Sequence, residues 1–498
     1  MLRQLIKKKL QNYRINLNNP DTSLPLNLQQ PKSVAVIGGG IAGISAACNL
    51  SERGFQVHLY EKENYLGGKL GSWQFQSHGE TLRTDHGFHG FFRQYLNLRN
   101  FLKKIGADKH LIPIGDYTIL FEKNKRQGFQ ALDKTPVFNV WGLRKSGIID
   151  WKTLINPYLL PFINLLQFDF ATTYKKFDSE SFTSFANRTK MNDKMRLVFS
   201  SFSRAFFAEP EDMSMAELIK SFHFYFLSNE DGLQYDFMDN NFQESLISYC
   251  QEFLNKHHVQ IHYSTPVNEL EKTDTGFMVN NKPFNYCVLC TDVKHTKNLM
   301  ANAKGFEPFK NTVSKLTSLK QSGRYAVLRL WTDRFESDNN LPVFVLTDRL
   351  KCLDSVTFYH KAEKESADWS KKNKGGIFEL HSYSVPKDLI TDEEVKAHLL
   401  NEFYHYFPEL QGMNILHEYF QHRDDFPGFH TNQYANRPEI KTDIAGFYVA
   451  GDWVKMNNCT MLMEAAYTSG AIAANYILQT EALQENKLES MPLKGIFA

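Results

Sequence analysis

Residues 33 to 69, SVAVIGGGIAGISAACNLSERGFQVHLYEKENYLGGK, constrain this chain more than any other stretch. Val34, Val36 and Ile37 form a short apolar run that breaks into Gly38-Gly39-Gly40-Ile41-Ala42-Gly43, after which apolar residues recur at helical spacing as far as Gly54. The pattern predicts strand, tight turn and helix. Gly38 permits the turn, Gly40 lets the backbone approach a pyrophosphate, and Gly43 lets helix and strand pack without an intervening side chain. The amides at the helix start then face phosphate oxygens. A second strand, Gln56 to Tyr60, delivers Glu61 at roughly the 20-residue interval of an acid that accepts hydrogen bonds from ribose hydroxyls. Gly67-Gly68-Lys69 adds a second small-residue turn and a cation, suited to a pyrophosphate held from two sides.

The whole chain has 498 residues, more than one simple core accommodates, so two domains are expected. A net charge of +2 gives no reason to expect nucleic acid as a partner. The 40 Phe and 22 Tyr fit either a Phe-rich core or a cavity for a long apolar ligand. Six cysteines lack the dense spacing of a secreted disulfide scaffold, and no clear signal peptide precedes them, so a reducing cytoplasm is the expected setting. Cys287 and Cys290 read as two buried thiols on a strand, since positions three apart point to opposite faces and no second pair completes a tetrahedral site. No metal site is expected.

Along the chain, residues 1–31 read as a basic segment and linker. Leu2, Leu5, Ile6 and Leu10 share one helical face beside Arg3, Lys7, Lys8, Lys9 and Arg14. That pattern suits peripheral contact with the inner face of an anionic membrane, and equally a solvated terminus or a targeting segment. The polar, Pro-containing stretch 16–32 reads as a linker. Thr84 to Tyr95 sets Asp85, His86, His89 and Arg93 among aromatics, an unusual mixture for a solvent loop and a candidate wall of a cofactor pocket. The run 155–166 is the most apolar in the chain yet too short and proline-broken to span a bilayer, which leaves a buried helix or a shallow membrane insertion. Phe222 to Phe226 reads as a core strand or a cavity wall.

A helix from Gln243 to Leu254 and strands at Val259–Tyr263, Thr265–Val267 and Tyr286–Cys290 are expected to return the chain to its first domain. Strands at Tyr325–Trp331 and Gly376–Tyr383 and a helix at Asp392–Phe407 belong to the second. The last module, Gly446 to Asp452, is an apolar strand ending in Gly451-Asp452, followed by a small-residue helix from Thr460 to Gly470. An aspartate at a strand end can bind a ribityl or ribose hydroxyl, and the amides of the next helix can stabilise negative charge on a reduced flavin. This pairing selects FAD as the cofactor. The expected architecture is α/β: a discontinuous Rossmann-like FAD-binding domain (32–100, 228–300 and 411–480), an inserted α+β substrate domain (101–227 and 301–410) and a C-terminal tail (481–498).

With these motifs the chain resembles flavoproteins of the amine oxidase and phytoene desaturase superfamily, a monotopic amine oxidase-like fold. The segment Gly87-Phe88-His89-x-Phe91-Phe92-Arg93-Gln94-Tyr95-x-Asn97-Leu98-Arg99, with Leu328–Trp331, Glu379–Tyr383 and Leu462–Ala466, is similar to the carotene desaturase branch that includes the isorenieratene synthases, which are beta-carotene desaturase/methyltransferases. The resemblance implies cofactor contacts at Gly38, Gly40, Ile41, Ala42, Gly43, Glu61, Lys62, Gly68, Lys69, Val267, Gly451, Asp452, Leu462 and Met463. It also implies an apolar polyene or isoprenoid substrate oxidised by hydride transfer to flavin, with end-ring aromatisation and methyl migration in the ring-aromatising version.

Asp85, His86, His89 and Arg93 are the candidate catalytic residues, with His89 the preferred base or cation stabiliser. An FAD-dependent amine oxidase-type enzyme on another small molecule, or a non-catalytic flavin or carotenoid carrier, are the alternatives. The oligomeric state is not legible in the sequence.

Overall fold

A computed structural model describes all residues except 1, 11, 12, 117, 122–124, 129–165, 192, 230–233, 496 and 497. The apolar run 155–166 thus lies, apart from Leu166, outside the described residues. A five-stranded parallel sheet has the order Gln260–His262, Gln56–Tyr60, Ser33–Ile37, Tyr286–Leu289, Phe447–Val449. Because the strands are parallel, Glu61, Cys290 and Gly451-Asp452 all leave the same edge, where ligands of open α/β sheets bind. Val34, Val36, Val288 and Val449 are fully buried, and each such side chain contributes roughly 1.5–3 kcal/mol of hydrophobic stabilisation.

The helices Ile41–Ser51 and Leu462–Thr480 pack so closely that a Cβ on Gly470 would sit 2.1 Å from the Ala42 carbonyl oxygen. Ser45 Oγ donates to the Tyr467 carbonyl at 2.7 Å across this contact. Gly43 is equally constrained, since a Cβ there would lie 1.9 Å from the Gly38 oxygen. Small residues are therefore what allow two ends of the chain, over 400 residues apart, to build one groove.

The second sheet has seven strands, in the order Ile415–Arg423, Tyr325–Thr332, Ile377–Ser382, Ser355–Phe358, Phe344–Thr347, Thr118–Phe121, Lys125–Gly128. Neighbours are antiparallel except Phe344–Thr347 with Thr118–Phe121. The helix Asp392–Tyr406 covers it with Val395, Leu399 and Phe403, and starts at a Thr391/Glu394 capping box.

Several expectations need correction. The return to the nucleotide sheet falls later than residue 411, because Ile415–Arg423 pairs along the whole of Tyr325–Thr332. Thr265–Val267 is irregular, since Thr265 N donates to the Glu61 carbonyl at 2.8 Å and not to a ladder. His223–Leu227 is a π-helical turn continuing Met215–Phe222, not a strand. The stretch 16–32 is no free linker: Ile15–Asn16 pairs with Glu489–Ser490, Leu17 N donates to the Leu488 oxygen and Leu28 N to the Arg53 oxygen. The helix Leu2–Leu10 buries Ile6 and Leu10 while Leu5 stays exposed.

Cys287 and Cys290 are buried free thiols, both pushed up by burial. No helix among the described residues is long and apolar enough to cross a membrane.

Candidate active site

A cavity of about 710 Å³ runs along the carboxyl edge of the parallel sheet into the second sheet. At its nucleotide end Glu61 Oε2 accepts the Gly39 amide at 2.8 Å and Oε1 the Glu63 amide at 2.9 Å. Burial pushes the Glu61 carboxyl up, and these two amides oppose that shift. The second glycine turn is fastened to the first, with Gly67 N donating to the Gly39 oxygen at 2.9 Å. Lys62 reaches His295 Nε2 at 3.1 Å, and His295 Nδ1 lies 2.6 Å from Asp292. Val267 lines the same end.

The groove has the chemistry of a flavin dinucleotide site. The helix Ile41–Ser51 has no side-chain cap and no acid in its first turn, and Gly40 meets nothing within 4 Å of an added Cβ, so helix-start amides open onto free space. The helix Leu462–Thr480 likewise starts without a side-chain cap, with Leu462 and Met463 in the cavity wall. Also on this cavity, Lys69 Nζ sits 4.3 Å above the Phe426 ring. Burial raises the Asp452 carboxyl pKa and the Lys69 charge opposes it. Gly38, Gly40, Ile41, Ala42, Glu61, Gly68, Lys69, Gly451 and Asp452 are all on this one cavity, and Gly43 supports it from behind.

The other end is a chamber walled by Phe88, Phe92, Phe202, Phe207, Phe226 and Phe344. His86, His89 and His381 line it as well. His86 touches the Tyr325 hydroxyl through Nε2, which also lies 3.6 Å from Asp425 Oδ2. Burial disfavours the charged form of His86. Burial also opposes the charge on Asp425, yet the neighbouring His86 and the charges of Lys69 and Arg423 hold it well below the usual carboxylate range. His89 Nδ1 donates to the Gly87 oxygen at 2.7 Å, and burial with His86 nearby pushes its pKa down to about 4.

Two expected catalytic residues lie elsewhere. Arg93 forms a salt bridge of 2.9 Å with the buried Asp236, which Arg99 also binds at 2.7 Å, and Arg93 is not in the cavity wall. Asp85 is buried behind that wall, its carboxyl pushed up by burial and pulled back by Arg329. Successive side chains on the strand Glu80–Asp85 point to opposite faces, and position 85 falls on the face turned to Arg329.

The residues that sequence reasoning missed sit on the second sheet. Arg329 Nε donates to Glu379 Oε2 at 2.7 Å, and His381 Nε2 lies 2.8 Å from Glu379 Oε1, which also accepts the Phe88 amide at 3.0 Å. Burial opposes the Glu379 charge, but Arg329 and His381 hold its pKa down at about 2. The available signal was a charge in the middle of each of two apolar strands, Leu328-Arg329-Leu330 and Phe378-Glu379-Leu380. Such charges survive burial only when paired.

Fold and groove together point to a flavin-dependent oxidoreductase whose dinucleotide groove opens into an aromatic chamber. The chain belongs to the flavin containing amine oxidoreductase family, whose sequence model matches residues 41–478, and FAD is its cofactor. It is 32% identical to carotenoid phi-ring synthase of Streptomyces griseus over 93% of this chain and 91% of that one. It is 25% identical to zeta-carotene desaturase of Synechocystis sp. over 90% and 98% of the two chains. Among solved structures, cyclohexylamine oxidase of Brevibacterium oxydans superposes with a TM-score of 0.64 at 16% identity, covering 90% of this chain and 99% of that one.

Proposed function

We propose that this oxidoreductase desaturates a carotenoid, and that its substrate carries a cyclic end group which is aromatised with migration of a methyl group. The observation that carries the reading is the continuity of the dinucleotide groove with a chamber walled by phenylalanines. An unactivated C–H bond gives up hydride only where the resulting cation is delocalised, as along a conjugated polyene. Bound flavin supplies the two-electron acceptor for that hydride. The phenylalanine wall, in which Phe88 and Phe344 stack on each other at 5.3 Å, excludes water from the cation. The identity to a phi-ring synthase supports the ring-aromatising reaction over simple chain desaturation.

In this reading Asp452 and Lys69 would hold the cofactor's hydroxyl and phosphate groups, and Glu61 its adenosine ribose. Delivery of so apolar a substrate from a membrane surface is supported by the basic helix Leu2–Leu10, whose Lys7, Lys8 and Lys9 are exposed beside Leu5. Expression in cells that accumulate beta-carotene, followed by chromatography and mass analysis, tests the proposal. Pigments lighter by two hydrogens or a multiple of two are expected; unchanged cyclic and acyclic carotenes sink it.

A further inference from the structure

We propose that His381, not His89, is the base that takes the proton from the oxidised carotenoid, and that Glu379 and Arg329 position it for that task. The inference rests on the carotenoid reading above and concerns the same chamber. Both histidines flank Gly87, where a side chain would crowd the His381 ring: a Cβ there would lie 3.1 Å from His381 Cε1 and 3.8 Å from its Nδ1. Glu379 Oε1 lies 2.8 Å from His381 Nε2, where a carboxylate favours a proton over a lone pair, and the other nitrogen, Nδ1, is on the side of the ring near Gly87 in a residue that lines the chamber. His89 has its Nδ1 proton committed to a neutral carbonyl.

The two rings differ in what lies beside them. An imidazolium on His381 lies against a carboxylate that Arg329 keeps ionised from the neighbouring strand. An imidazolium on His89 is buried beside His86, and its low pKa reflects that. The titratable and charged groups facing His381 are Glu379, Arg329, His89 and Tyr383, with Asp85 and Glu363 acting on Arg329 from behind.

In the step proposed, hydride has left one C–H for the flavin oxidant and the polyene carries one positive charge. A neighbouring C–H then gives its proton to His381 Nδ1, and the electron pair of that bond becomes the new C=C. The substrate has lost two hydrogens, and the imidazolium returns its proton to solvent after product leaves.

The test uses the full chain loaded with FAD and beta-carotene in lipid–detergent micelles, with flavin content and thermal midpoint as folding controls. His381→Ala is expected to slow formation of desaturated pigment at least a hundredfold. Added imidazole is expected to restore much of the rate in His381→Ala and not in His89→Ala. Glu379→Gln is expected to lower kcat with little change in KM, because the ring is no longer held by its carboxylate. If His381→Ala loses flavin, His381→Asn replaces it. A folded, flavin-loaded His381 variant that works at the wild-type rate, or one whose loss imidazole cannot restore, overturns the inference. Wild-type protein that converts no carotene overturns the functional reading instead.

Discussion

Arg329 and Glu379 face each other in register on adjacent antiparallel strands, and the guanidinium Nε donates to the carboxylate at 2.7 Å with both side chains at 2% exposure or less. The guanidinium carbon also sits 3.7 Å above the Tyr359 ring. This buried pair lies behind His381, which lines the chamber.

Removing Arg329 leaves the buried Glu379 carboxylate without its guanidinium partner. Arg329→Met is expected to destabilise the protein by about 3–5 kcal/mol in urea denaturation. The Glu379 pKa is depressed from 4.5 to about 2 on folding, so its contribution is present above pH 4.5 and is lost as pH falls towards 2. The difference in stability between wild type and Glu379→Gln is expected to shrink across that window.

Glu464 predicts the opposite slope. It is buried and accepts hydrogen bonds from Asn97 N at 2.8 Å, Asn97 Nδ2 at 3.0 Å and Leu98 N at 3.0 Å, yet burial pushes its carboxyl up from 4.5 to about 8. A raised carboxyl pKa means that the folded state holds a proton the unfolded chain has lost. Stability from this group is full below pH 4.5 and declines as pH rises to about 8. Glu464→Gln is expected to flatten that decline in thermal melts taken across the range.

Glu61→Ala removes the acceptor that holds Gly39 and faces the nucleotide end of the groove. A lost charge-assisted hydrogen bond of about 1.5–3 kcal/mol corresponds to FAD binding weaker by a factor of roughly 10 or more. Fluorescence titration of the flavin-free protein measures it.

Arg93 is partly exposed and shares Asp236 with Arg99. Arg93→Ala is expected to cost about 1 kcal/mol of stability, with Arg99 retaining the ion pair and the rate of pigment conversion unchanged. A large loss of rate with normal stability contradicts the placement of Arg93 outside the chamber.

Lys7, Lys8 and Lys9 are exposed on the N-terminal helix. At roughly 1 kcal/mol per basic residue near an anionic surface, reversing these charges is expected to reduce co-sedimentation with anionic vesicles by about two orders of magnitude or more. Binding to neutral vesicles serves as the reference.

Local sequence was enough for the cofactor half of the site. Gly38, Gly40, Gly43 and Glu61 sit within thirty residues of one another, and their convergence at one groove follows from turn geometry and strand period. The Gly451-Asp452 strand end and the helix after it were legible for the same reason. The substrate half was not. Arg329, Glu379 and His381 come from two strands that meet only through sheet register, and His86 meets Asp425 across more than 300 residues.

The chain's own order of residues thus determined that a flavin dinucleotide is bound, because each binding element is a short stretch whose backbone geometry its glycines and strand period impose. Only the tertiary structure decided which histidine is backed by a carboxylate and that Asp85 and Arg93 face away from the chamber. A side chain's basicity depends on the charges beside it and its depth from water, and both are set by strands and loops far apart in sequence.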